Sequence, residues 1–160
     1  MSGLQLWVVD DNDDDRYLVS ALLQQYTSHP VFAEGFKDSK RVSLRAEEIY
    51  QARKAGHEVQ WPDVILTDVF LPDIDGLQLI RILRGYGCMT PAIIMSNVEW
   101  RTSLLKRALP ENHVIGILKK PLESRFLNKL LDMFQEGSQE MLNRCLQTPI
   151  NTGTQEYAVV

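Results

Sequence analysis

The stretch Asp63 to Gly76 reads DVILTDVFLPDIDG. Its opening DVILT is an almost unbroken apolar run, of the length and composition of a strand buried on both faces of a parallel sheet. Asp68 follows directly, and Leu71 to Gly76 (LPDIDG) sets proline and glycine where a turn needs them. Beyond the turn, Leu77, Leu79, Ile80 and Leu83 recur at helical spacing until Gly85-Tyr86-Gly87 breaks the pattern. Strand, turn and helix in this order are the building unit of an α/β fold.

The same unit recurs on either side. Leu4 to Val9 (LQLWVV), Ala92 to Ser96 (AIIMS) and Val114 to Leu118 (VIGIL) are further apolar runs, and Val31 to Glu34 (VFAE) is a shorter, weaker one. Between them, Leu18, Val19, Leu22, Leu23 and Tyr26 mark a helix over Arg16 to Tyr26, and a second is expected around Ala46 to Ala55. Phe126, Leu127, Leu130, Leu131 and Phe134 mark another, with Glu123 and Ser124 at its start. Strands alternating with helices predict right-handed βαβ crossovers and a doubly wound parallel sheet. The stretch from Gly35 to Gln60, with a basic run at Lys37, Lys40, Arg41 and Arg45, is longer than one short crossover requires. Periodicity fades after Phe134. Met141, Leu142 and Leu146 suit a short helix, and Thr148 to Val160 reads as a loose tail. The expected layout is one domain over residues 1–136, enlarged at about 35–60, and a C-terminal extension over 137–160.

Composition narrows the function classes. A chain of 160 residues, 44% hydrophobic and 24% charged, suits one domain with an ordinary core. A formal net charge of −4 supplies no general attraction to nucleic acid or to an anionic membrane. Cys88 and Cys145 lack the paired spacing of a zinc site or a disulfide framework and read as reduced thiols. With neither a secretory leader pattern nor an apolar stretch near the roughly 20 residues of a membrane span, a cytoplasmic location is expected.

In an open parallel sheet, ligands bind beyond the carboxyl ends of the strands. The residues found there are consistent in kind: Asp10 and Asp11 after the first run, Asp68 after the third, Ser96 at the end of the fourth, and Lys119, Lys120 and Pro121 after the fifth. Three carboxylates at one sheet edge repel one another and call for a hard cation, for which Mg²⁺ is the simplest choice. With the cation and Lys120 neutralising charge, one carboxylate can attack phosphorus, and Ser96 can donate to a phosphoryl oxygen. The product is an acyl phosphate. Each piece alone also has an ordinary explanation: Asp10 to Asp15 (DDNDDD) as a solvated turn and helix cap, LPDIDG as a plain turn, the lysines as surface charges. Their conjunction in strand order carries the functional reading.

From Leu4 to Phe134 the chain resembles the receiver domain of two-component response regulators. The resemblance rests on VVDDN (Val8 to Asn12), ILTDVFLPDIDG (Ile65 to Gly76), PAIIMS (Pro91 to Ser96) and LKKP (Leu118 to Pro121). It implies a five-stranded, flavodoxin-like (βα)5 fold with strand order 2-1-3-4-5. By position it implies Asp68 as phosphoacceptor, Asp10 and Asp11 as metal-coordinating acids, and Phe70 as the donor of a backbone carbonyl to Mg²⁺. Ser96 becomes the switch hydroxyl and Lys120 the site lysine. Two positions depart from the family pattern: Asn97 stands where a small residue is usual, and Ile117 where many members carry Tyr or Phe. After Phe134 only about 26 residues follow, too few for an independent output domain.

The resemblance implies a phosphorylation switch and not a turnover enzyme. A sensor histidine kinase or histidine phosphotransfer protein would donate to Asp68, and a downstream protein would read the face around Trp100 and Val114 to Arg125. The alternative is a pseudo-receiver that docks partners without phosphate, motivated by Asn97 and Ile117. An aspartyl-phosphate phosphatase fits poorly, because Phe70 occupies the position of its second acid. A flavin-dependent reductase also fits poorly, because DDNDDD replaces the hydroxyl- and glycine-rich phosphate loop.

Overall fold

The computed structural model describes residues 3–26, 30–96 and 113–120. The elements run β1 (Leu4–Val9), α1 (Asp13–Tyr26), β2 (Val31–Phe36), α2 (Ser39–Lys54), β3 (Val64–Asp68), α3 (Gly76–Gly85), β4 (Ala92–Ser96) and β5 (Val114–Lys119). All five strands are parallel, in the order β2-β1-β3-β4-β5. The reversal of direction beside β1 opens a crevice between the ends of β1 and β3, the place where such sheets bind ligands.

Each central strand is buried on both faces, which is why its sequence is an apolar run without alternation. All five residues of β3 and of β4 are buried. On one face, Trp7, Val9, Ile65 and Ile94 pack with Val42, Ala46 and Ile49 of α2 and Leu79, Ile80 and Leu83 of α3. Trp7 is braced edge-on by Phe36, at a ring separation of 5.4 Å, and by Trp61 at 6.3 Å. Successive strand residues point to opposite faces, so Leu6, Val8 and Leu66 serve the other face, where α1 lies against β1 and β2 and buries Val19 and Leu23. Among the described residues no helix is long and apolar enough to cross a membrane.

Three elements clearly exceed their expected bounds. α1 starts at Asp13, three residues before Arg16. β2 continues through Gly35 to Phe36, because parallel pairing with β1 extends to Val9↔Phe36. α2 begins at Ser39 and not near Ala46, so most of the long stretch after Gly35 is helix and Lys40, Arg41 and Arg45 lie on it. Their charge is largely local: Arg41 pairs with Asp38 at 3.7 Å, and Arg45 pairs with Glu34 and Glu48 at 3.3 Å. The expected helix over Phe126 to Phe134, the 137–160 extension, Asn97 and Trp100 all lie outside the described residues.

The LPDIDG turn does more than reverse the chain. Asp75 caps α3 by accepting from the Gln78 amide at 2.8 Å, and the Gln78 side chain accepts from the Asp75 amide in a reciprocal capping box. Asp73 reaches across to the start of α2, where its carboxylate accepts from the Ser39 and Lys40 amides, both at 3.3 Å, and from the Ser39 hydroxyl. One turn therefore fixes the amino ends of two helices. Partial burial works against the charged form of Asp73, but the bonds from Ser39 outweigh it and hold the carboxyl below the ordinary carboxylate range. A carboxyl whose folded pKa is depressed stabilises the fold above its unfolded pKa of about 3.9, and that contribution is lost as pH falls through the folded value. Asp73→Ala is accordingly expected to cost about 1 kcal/mol at pH 7. In urea denaturation, its gap from the wild type should narrow as the buffer is taken down to about pH 3.

Candidate functional site

Four strands deliver chemistry to one edge. Asp10 follows β1, and its amide donates to the Phe36 carbonyl at 3.0 Å. Asp68 ends β3, and the next amide, Val69, donates to Met95 on β4 at 3.0 Å. Ser96 ends β4 and is buried; its carbonyl accepts from the Lys120 amide at 2.8 Å, which pins the residue after β5. Backbone pairing alone therefore brings Asp10, Asp68, Ser96 and Lys120 to the same rim.

Lys120 organises the side chains. Its ammonium donates to Asp68 Oδ2 at 2.7 Å, to Asp15 Oδ2 at 3.1 Å and to Asp10 Oδ2. An ammonium has three N–H donors, and each finds a carboxylate. The second oxygens are held by backbone: Asp10 Oδ1 accepts from the Asn12 amide and Asp68 Oδ1 from the Phe70 amide, both at 3.0 Å. Burial pushes the Asp10 carboxyl above its ordinary value, and the bonds from Lys120 and Asn12 reduce the shift without cancelling it. Burial alone would lower the Lys120 pKa, yet its bonds to Asp10, Asp68 and Asp15 raise it, so the ammonium stays charged.

Charge remains unbalanced, because Asp10, Asp15 and Asp68 share one ammonium and Asp11 adds a further carboxylate beside Asp10 and Asp68. Asp10, Asp11 and Asp68 each offer an oxygen within 4.8 Å of the others. That span is close to the roughly 4 Å between opposite ligands of an octahedral Mg²⁺ at about 2.1 Å, and all the donors are hard oxygens. The donor set fits a small divalent cation.

Every residue expected at the site is at this rim: Asp10 and Asp68 buried, Asp11 exposed, Ser96 buried, Lys120 nearly so, and Phe70 54% exposed. Sequence reasoning missed three contributors. Asn12, and not one of the neighbouring acids, caps α1: its side-chain oxygen accepts from the Asp15 amide at 3.0 Å. Gly76 approaches the Asp68 carbonyl so closely that a Cβ there would collide with it, and its amide donates to Val69 at 2.8 Å. Asp15 reaches Lys120. A signal for Asp15 was available, since it lies four residues before Val19 and eight before Leu23, on the helix stripe that both bury against the sheet.

The model of the response regulator receiver domain family matches residues 6–132. The two-component response regulator ORR1 of Oryza sativa subsp. japonica is 29% identical over 127 residues, covering 77% of this chain and 52% of its own length. The DNA-binding transcriptional regulator NtrC of Proteus hauseri is 29% identical over 93 residues, 57% of this chain and 16% of its own. The chain thus spans about half or less of these relatives. Among solved structures, the chemotaxis response regulator CheY4 of Vibrio cholerae superposes with a TM-score of 0.62 at 22% identity, over 82% of this chain and 98% of that one. A BeF3-activated DrrB receiver domain does so at 0.63 and 22%, over 84% and 99%. These structural likenesses are likenesses of fold.

Crowded carboxylates make a testable liability. Asp10→Asn removes one buried charge while Lys120 keeps Asp68 and Asp15, so in EDTA the variant is expected to melt about 2–4 °C above wild type. Added Mg²⁺ should raise the wild-type midpoint through binding linkage and leave Asp10→Asn nearly unmoved. Differential scanning calorimetry with and without Mg²⁺ reads both.

Proposed function

The chain belongs to the response regulator receiver domain family, and from that premise we propose that it is a phosphorelay switch that takes a phosphoryl group on Asp68. The observation that carries this reading is a contrast between the two carboxylates bonded most closely to Lys120. The Asp10 side chain is fully buried, whereas that of Asp68 is 12% exposed, so Asp68 is the one an incoming phosphorus can meet.

The donor is a phosphohistidine on a sensor histidine kinase or a histidine phosphotransfer protein. An Asp68 carboxylate oxygen attacks phosphorus, a P–O bond forms, the P–N bond breaks, and its electron pair returns to the imidazole ring, which takes up a proton. The amide of Phe70 fixes the plane of the attacking carboxylate through Oδ1. Lys120, held protonated by its carboxylate partners, moves its donor from Asp68 Oδ2 onto a phosphoryl oxygen. Ser96, buried at the end of β4, supplies a hydroxyl toward the same group. Asp10, Asp11 and Asp68, with the Phe70 carbonyl that the family resemblance adds, would hold Mg²⁺, which when bound would neutralise charge on the transferring phosphoryl group.

In this reading residues 1–136 form the receiver and the new charge biases a two-state equilibrium, each tenfold shift taking about 1.4 kcal/mol. The output surface assigned to Trp100 and Val114 to Arg125 falls, apart from β5 and Lys120, outside the described residues. A phosphate-independent docking role, which Asn97 and Ile117 motivate, is less favoured, because the acids, the lysine and the buried hydroxyl support the switch.

Incubation with acetyl phosphate and Mg²⁺ is expected to add one phosphoryl mass that is removed by hydroxylamine, as acyl phosphates are. Asp68→Asn should take up none, and omitting Mg²⁺ should slow labelling of the wild type at least tenfold. Intact-mass spectrometry reads both, and equal labelling of the wild type and Asp68→Asn would overturn the assignment.

A further inference from the structure

Among the described residues, Asp15 is the one partner of the Lys120 ammonium that the proposed chemistry does not use. Asp10 and Asp68 belong to the acid cluster that fits a cation, and Asp68 also receives the phosphoryl group, but Asp15 stands outside that cluster, on the first turn of α1, and meets the ammonium at 3.1 Å. Its position is set firmly. Its amide is held by the Asn12 cap at 3.0 Å, and its carboxylate, 37% exposed, contacts an ammonium that is 10% exposed. An acid on the first turn of a helix is also favoured by the helix dipole.

We infer that Asp15 is a positioning residue that draws the Lys120 ammonium toward α1 and so frees the metal-facing oxygens of Asp10 and Asp68 for a divalent cation. The inference rests on the phosphorelay reading of the site. An ammonium and a Mg²⁺ compete for the same carboxylate oxygens, and each repels the other. With Asp15 present, Lys120 retains a carboxylate partner when the cation claims Asp10 and Asp68. Without it, the ammonium has only those two among the described residues, and the cation must displace it. Asp15 also adds one negative charge near the cation, so removing it weakens binding by both routes. The nearby acids separate the two: Asp13 is tied to Arg16, whereas Asp14 is an exposed carboxylate on the same turn with no bond to Lys120.

The test is a calorimetric titration of the full chain with Mg²⁺ alone. Asp15→Asn is expected to weaken Mg²⁺ about three- to fivefold, Asp15→Glu to restore at least half of that loss on a logarithmic scale, and Asp14→Asn to change it less than twofold. In a Lys120→Met background, shown by circular dichroism to be folded, Asp15→Asn should have no more effect than Asp14→Asn. Labelling by acetyl phosphate should follow the same split: slower for Asp15→Asn at low Mg²⁺, and near wild-type at saturation. Equal weakening by Asp14→Asn and Asp15→Asn, or an undiminished Asp15→Asn effect without Lys120, would reduce the role to bulk charge and overturn the inference. Should Lys120→Met fail to fold, the comparison of Asp15→Glu, Asp15→Asn and Asp14→Asn decides alone. Wild type that binds Mg²⁺ and labels at Asp68 leaves the phosphorelay reading standing whichever way Asp15 falls; wild type that does neither removes both.

Discussion

The contact between the Lys120 ammonium and the carboxylates of Asp10, Asp15 and Asp68 is the constraint on which the site depends. It joins residues from opposite ends of the described chain, after β1, on α1, at the end of β3 and after β5. Among the described residues, three of the four rim carboxylates share this one ammonium. A carboxylate as buried as Asp10 is costly without a partner. Lys120 makes that burial tolerable while leaving a net negative rim, and a rim of that sign selects cations and positions them beside a nucleophilic oxygen. The sheet's role is to make this convergence unavoidable. Register brings Ser96 opposite Lys119, and the next amide closes back onto the Ser96 carbonyl, so the lysine is placed by backbone bonds before its side chain makes any contact.

Much of this was legible in the sequence, and the reason is periodicity. Strands buried on both faces must be apolar throughout, so LQLWVV, DVILT and AIIMS declared themselves, and the acids and the lysine that interrupt those runs marked the strand ends where ligands bind. β2 was the hard case. It is an edge strand whose inner residues, Phe32 to Gly35, are exposed, so burial does not impose an apolar composition on them and the signal stopped two residues early. The start of α2 was hidden differently. Ser39 to Arg45 is mostly polar and basic, and what fixes it as helix is capping by Asp38 and by the distant Asp73, a contact that local sequence does not encode. Asp15 was hidden inside a run of acids whose ordinary explanation is a solvated helix start. Only its phase relative to Val19 and Leu23 separates it from Asp13 and Asp14.

The LPDIDG turn shows how a short segment can serve structure and chemistry together. Asp75 caps the helix that follows, Asp73 caps the helix before β3, and Phe70 lends its amide to the acceptor carboxylate. A movement of the turn would act on α2, α3 and Asp68 at the same time. Such sharing is what allows a charge change at one oxygen to bias a larger packing equilibrium, because the surrounding core is close-packed and not continuously deformable.

Gly76 brings this sharing to its narrowest point. The α3 amino end sits against the Asp68 carbonyl with space for a hydrogen and none for a methyl group. The alignment of the acceptor carboxylate is therefore guarded by a residue that has no side chain and touches no reactant. In a saturation scan scored by function, Gly76 would rank with the acids as intolerant, and a reading of such data that equates intolerance with chemistry would mistake it for a member of the reacting set. Its constraint is spatial: the site's precision is set by an atom that has to be missing.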